Sequence, residues 1–140
     1  MKKIISSTNA PSAIGTYSQA VLADKFLYIS GQIPLDPKSM DLVEGINNQI
    51  RQVFKNILAI LEEANMDFSN IIKLNVLLDN LENFSLVNEI MAEILVEPYP
   101  ARAAYEVSKL PKNSSIEIET IAYKDLSLIH ISEPTRQVPI

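Results

Sequence analysis

Residues 45–64 read GINNQIRQVFKNILAILEEA, and this stretch decides the fold. Ile46, Ile50, Val53, Phe54, Ile57, Leu61 and Ala64 recur at helical spacing. Asn47, Gln49, Arg51, Gln52, Lys55 and Glu62 take the other positions. The pattern predicts an amphipathic helix with one face to bury, and Asn65-Met66-Asp67 ends it. Its flanks supply a sheet to bury it against. Before it lie two short apolar runs, Ala20–Ala23 and Phe26–Ser30, with Asp24-Lys25 placed as a hairpin turn. Lys3–Ser6 is a candidate first strand, Gly31 breaks the pattern, and Pro34–Glu44 reads as a loop. After it, Ile71–Leu78 is apolar and partly β-branched, as a strand requires. Asp79 or Asn80 can cap a second helix from about Leu81 to Leu95, with Leu81, Phe84, Met91 and Leu95 among its core candidates. Ala101–Val107 and Ser115–Tyr123 complete the strands, joined by a turn at Lys109–Asn113. Two helices on one face of a mixed sheet, an α+β arrangement, satisfy this order.

The chain has 140 residues, 47% of them hydrophobic, which predicts one domain with a real core. A net charge of −5 argues against a nucleic-acid partner, since phosphate binding calls for a basic surface. The absence of cysteine removes disulfides, thiolate catalysis and cysteine-based metal sites together. Met1-Lys2-Lys3-Ile4-Ile5 carries the charge of a signal peptide without its apolar run. With no segment long enough to span a bilayer, the expectation is a soluble cytoplasmic protein.

Two charged residues fall in the late strands, where apolar residues normally serve a core. Arg102, in Tyr99-Pro100-Ala101-Arg102, offers a planar fork matched to a carboxylate. Glu117, in Ile116-Glu117-Ile118-Glu119, offers a carboxylate that can handle protons. Glu119 on the same strand face can raise the pKa of Glu117 by like-charge repulsion. Together they suggest a site that grips a small organic acid and moves a proton on it. Strand alternation puts Glu117, Glu119, Ile121 and Tyr123 on one face and Ile116, Ile118, Thr120 and Ala122 on the other, under the helices. The first face is neither clean solvent face nor clean core. It predicts contact with another copy, and a site near the boundary.

The chain resembles the RidA (YjgF) family of reactive intermediate deaminases. The resemblance covers about residues 1–125. It is carried by Asn9-Ala10-Pro11 with Ile14-Gly15-Thr16-Tyr17-Ser18-Gln19-Ala20, by Ser30-Gly31-Gln32-Ile33-Pro34, by Val87-Asn88, by Tyr99-Pro100-Ala101-Arg102, and by Lys109-Leu110-Pro111-Lys112 leading to Ile116-Glu117-Ile118-Glu119. It implies a chorismate-mutase-like subunit, a homotrimer with clefts between neighbours, and hydrolysis of 2-iminobutanoate or 2-iminopropanoate to 2-oxo acids and ammonia. These imines derive from enamines that PLP-dependent dehydratases release. By the same resemblance Arg102 clamps the substrate carboxylate and Glu117 positions a water as general base. Tyr17, Ser30, Gly31 and Asn88 match pocket positions. No metal or organic cofactor is implied, and neither a nucleic acid nor a membrane as partner.

Without the resemblance, Arg102 suits a structural ion pair and Glu117 a solvated strand position. Ser30 could satisfy a backbone group, Tyr17 could be an interface aromatic, and Asn88 could make a structural hydrogen bond. Two departures stand out: Thr16 where many relatives have proline, and Ala104 where many have cysteine. Residues 126–140, with the lone His130, lie beyond the usual family end. Leu126–Arg136 resembles a translated sequencing adaptor, so these residues are expected to be read-through. Two rival functions remain at this level: a trimer that binds 2-oxo acids without turnover, and a ribonuclease or translation inhibitor.

Overall fold

The computed structural model describes residues 2–125. The expectations for residues 126–140, His130 included, lie outside the described residues. Six strands form one sheet: β1 (Lys2–Ile5), β2 (Ala20–Ala23), β3 (Phe26–Gln32), β4 (Ile71–Leu78), β5 (Ala101–Glu106) and β6 (Ile116–Tyr123). Their order is β1-β2-β3-β6-β4-β5, with β4 and β5 parallel and every other pair antiparallel. Two helices, α1 (Ile46–Glu63) and α2 (Phe84–Ile94), complete the mixed α+β fold.

The helical stripe is buried as its spacing requires. Ile50, Val53, Ile57 and Leu61 are each 0% exposed, as are Ile116, Ile118 and Ala122 across from them on β6. Thr120, the fourth residue of that alternating set, is buried too. One face of the sheet therefore carries the core. The other bears Ile4, Tyr28 and Tyr105, all exposed. Alternation along each strand produces this split, because residues aligned across the ladder share a face. No helix among the described residues is long and apolar enough to cross a membrane.

Four details differ from the sequence expectation. β1 is shifted one residue toward the N-terminus, spanning Lys2–Ile5. β3 does not stop at Gly31 but continues to Gln32. Ile29 aligns with Thr120 and Gln32 with Ile118, so Ser30 and Gly31 together oppose the single residue Glu119. This is a β-bulge, in which an extra residue bends the strand without ending it. Leu81 is exposed rather than core, because Leu81–Asn83 form a separate 3-10 turn ahead of α2. Asn80 is the capping residue there, its side chain accepting from the Glu82 amide at 2.9 Å. Finally, Gln49 is buried, although its position on α1 reads as polar surface.

Candidate active site

The bulge builds the first half of the site. Glu117 points away from the helices, half-buried, into a cleft of about 650 Å³. Tyr17, Ser30 and Gly31 line the same cleft, as do Glu119, Lys112 and an apolar wall of Ile33, Leu35 and Met40. Gly31 is essential to this packing. A Cβ there would collide with Glu117 Oε2 and lie 2.8 Å from its carboxyl carbon. Glycine is needed here for close approach rather than for an unusual backbone angle. The obstructing atoms are the far end of a flexible side chain. Gly31→Ala is therefore expected to leave the melting temperature nearly unchanged while expelling Glu117 from its seat. A thermal melt beside an activity assay checks this: loss of fold together with activity would contradict it.

Glu117 holds its proton more tightly than an ordinary glutamate. Burial is the larger cause, and the neighbouring Glu119 charge adds to it. Glu119 is itself oriented by Asn75 on β4, whose Nδ2 donates to Oε1 at 3.1 Å. The raised proton affinity has a consequence for stability. A carboxyl that binds its proton better in the folded chain contributes stability below its ordinary pKa. That contribution is lost as pH rises through the elevated value. At neutral pH the ionised group thus works against folding. Glu117→Gln is expected to melt higher than the parent at pH 7, and the gap should close as pH falls through the carboxylate range. Melting curves from pH 7 down to 4 test the sign.

The loop carrying Tyr17 is tied down from three sides. Ser30 Oγ donates to the Ser18 carbonyl at 2.6 Å, and the Ser30 amide donates to the Gln19 carbonyl at 2.9 Å. Buried Gln19 clamps the preceding segment: Oε1 accepts from the Ser7 amide at 2.7 Å, and Nε2 donates to the Pro11 carbonyl at 2.7 Å. The Tyr17 hydroxyl accepts from the Ile14 amide at 3.4 Å, and the ring is 53% exposed. Ser30 thus satisfies a backbone group and lines the cleft at once.

Arg102 and Asn88 form a second cluster elsewhere. Arg102 Nη1 donates to Asn88 Oδ1 at 2.6 Å, and the guanidinium carbon sits 4.7 Å from the centre of the Phe84 ring. Both contacts come from α2, which fixes the fork at the edge strand β5. Arg102 and Asn88 line a cavity of about 480 Å³ with Tyr99, Pro100 and Met91. Its relation to Glu117 follows from register. Arg102 aligns with Leu74 of β4, a core-facing residue, whereas Glu117 aligns with Leu77 on the open face. Within one chain the acid and the fork therefore occupy opposite faces of the sheet. The structure brings Tyr17, Ser30, Gly31 and Glu117 together, and Arg102 with Asn88, but does not join the two groups.

Sequence reasoning assigned no role to Lys112 or the apolar wall. Lys112 was visible only as part of the Lys109–Lys112 motif. The wall belongs to a segment without periodicity. Ala104 aligns with core-facing Val76 beside Arg102 and is half-buried, so its small side chain faces the helix layer.

Both the sequence and the fold match known proteins. Residues 7–124 match the family model described as Endoribonuclease L-PSP. A RutC family protein of Pyrococcus horikoshii is 52% identical over 126 residues, covering 89% of this chain and 100% of its own length. A human protein named 2-iminobutanoate/2-iminopropanoate deaminase is 49% identical over 123 residues, covering 87% of this chain and 90% of its own. The crystal structure of RidA from the Antarctic bacterium Psychrobacter sp. superposes with a TM-score of 0.85 at 48% identity, covering 87% of this chain and 99% of that one. The chain belongs to the RidA (YjgF) family.

Proposed function

We propose that this protein hydrolyses 2-imino acids of three or four carbons to 2-oxo acids and ammonia, acting as a homotrimer. The observation that carries the reading is the seat of Glu117: a half-buried carboxylate of raised proton affinity, in a cleft shaped by Gly31. A general base works best when its pKa lies nearer the working pH, and burial moves Glu117 that way. The names of relatives near half identity support the same chemistry.

In the proposed reaction, Glu117 takes a proton from a water whose oxygen adds to C2 of the imine. A C–O bond forms and the C=N π bond breaks, giving a carbinolamine. Glu117 returns the proton to nitrogen. The hydroxyl proton then passes to Glu117 as the C–N bond breaks and the C=O π bond forms, and ammonia leaves. A protonated imine is already electrophilic, so the addition needs no cofactor to activate the carbon. The substrate carboxylate requires a cation. Arg102 of the same chain faces the wrong side of the sheet, so in this reading Arg102 and Asn88 come from a neighbouring copy. The exposed open face, with Ile4, Tyr28 and Tyr105, supports association. Tyr17, Ser30 and Gly31 complete the pocket. The net charge of −5 and two carboxylates in the cleft count against an RNA substrate.

The test is a coupled assay. Threonine dehydratase and threonine generate the imine, and its disappearance is followed with and without the protein. Acceleration well above the spontaneous rate supports the reading. 2-Oxobutanoate binding with no acceleration favours a sensing role instead.

A further inference from the structure

The polar positions of α1 that turn out to be buried all grip one piece of chain. Asn56 is 0% exposed, and its Nδ2 donates to the Leu35 carbonyl at 3.1 Å and the Ile33 carbonyl at 3.3 Å. Gln52 Nε2 donates to Asn56 Oδ1 at 2.8 Å, which fixes the amide's orientation. Two turns earlier on the helix, Gln49 Nε2 donates to the Val43 carbonyl at 3.1 Å. The same side chain accepts from the Ser115 amide at 2.9 Å, two residues before Glu117. The gripped piece, residues 33–43, is closed on itself. The Val43 amide donates to the Pro34 carbonyl at 3.0 Å, and Leu35 and Leu42 form an antiparallel bridge. It hangs from α1 at both ends, and it supplies Ile33, Leu35 and Met40 to the cleft wall.

We infer that Gln49 and Asn56 are specificity-positioning residues: they fix how far the apolar wall of residues 33–43 stands from Glu117, and so which substrate side chains fit. This rests on reading the cleft as the imine site. Neither residue lines the cleft. Buried amides hold backbone carbonyls far more stiffly than apolar contact does, because a carbonyl left without its donor has no water to turn to. A wall fixed in this way discriminates by size. One methylene more or less in an apolar pocket changes kcat/KM by roughly 10–200-fold. Releasing the wall at Asn56, which bonds no residue of β6, should relax that discrimination without touching the acid.

The experiment compares the parent with Asn56→Leu and Gln49→Met, which keep approximate shape but remove the amides that grip residues 33–43; Gln49→Met also removes the acceptor of the Ser115 amide. The two lie on different turns, so failure of one to fold leaves the other. Asn70→Ala is the control: Asn70 Nδ2 donates to the Tyr123 carbonyl at 3.2 Å, away from the cleft lining. Imines from alanine and leucine are generated by an amino-acid oxidase, and the ratio of their kcat/KM values is measured. Binding of 2-oxobutanoate and 4-methyl-2-oxopentanoate is titrated in parallel. The expected result is a shift of about tenfold in both ratios toward the bulkier compound in the α1 variants, with none in the control. Unchanged ratios in folded α1 variants would overturn the proposal, since a merely structural residue lowers both values together. If no protein turns over either imine but the binding ratio shifts, the wall assignment stands and the deaminase reading fails.

Discussion

Glu117→Gln is expected to lower imine hydrolysis by roughly 10²–10⁴-fold, the usual contribution of a positioned general base. Binding of 2-oxobutanoate should change little. Glutamine keeps the size of the side chain and its seat beside Gly31, but cannot take a proton from water. The effect should appear in kcat rather than in KM, because the lost interaction is made as the water attacks. The parent's rate should fall at acid pH as Glu117 becomes protonated, and burial together with Glu119 places that fall above the ordinary glutamate range. The variant should lose this acid limb. Parallel pH profiles for parent and Glu117→Gln would remove Glu117 from the mechanism.

Arg102→Ala should abolish useful turnover with the fold kept. The guanidinium is exposed and packs on Phe84 and Asn88 at a strand edge, so its removal leaves the core intact. Losing a charged clamp removes both affinity and alignment, an effect on the order of 10³-fold or more in kcat/KM. The opposite-face geometry adds a sharper result. Arg102→Ala and Glu117→Gln chains, each inactive alone, should regain activity when unfolded together and refolded. A random equal mixture in a closed ring gives about one quarter of its sites an intact arginine from one copy and an intact glutamate from the next. If mixed assemblies form and stay silent, the shared-site reading is wrong.

Much of the fold was legible because it rests on periodicity. The α1 stripe and the alternation along β6 each follow from the geometry of one element. Ile116, Ile118 and Ala122 are fully buried as their parity required. Leu81 failed because a 3-10 turn breaks helical phase before α2 begins. Gln49 failed for a different reason. An amide reads as surface in any hydropathy pattern, and its partners here, Val43 and Ser115, lie 6 and 66 residues away. Gly31 reads locally as a break in the strand, and only the family resemblance makes it a pocket position. Its real constraint comes from Glu117, on a strand 86 positions later, and no local window contains both.

The site was legible as a set of residues but not as an arrangement. Glu117 and Arg102 can each be assigned a parity within its own strand. Whether they share a face depends on how both strands register against β4, at Leu77 and Leu74. Those two positions differ by an odd number, which sends the side chains to opposite faces.

That odd number ties chemistry to population. Under the shared-site reading, a solitary newly made polypeptide is fully folded yet inert, and so is a protein diluted until its ring comes apart. Specific activity should then climb with protein concentration before levelling, with no change in circular dichroism along the way.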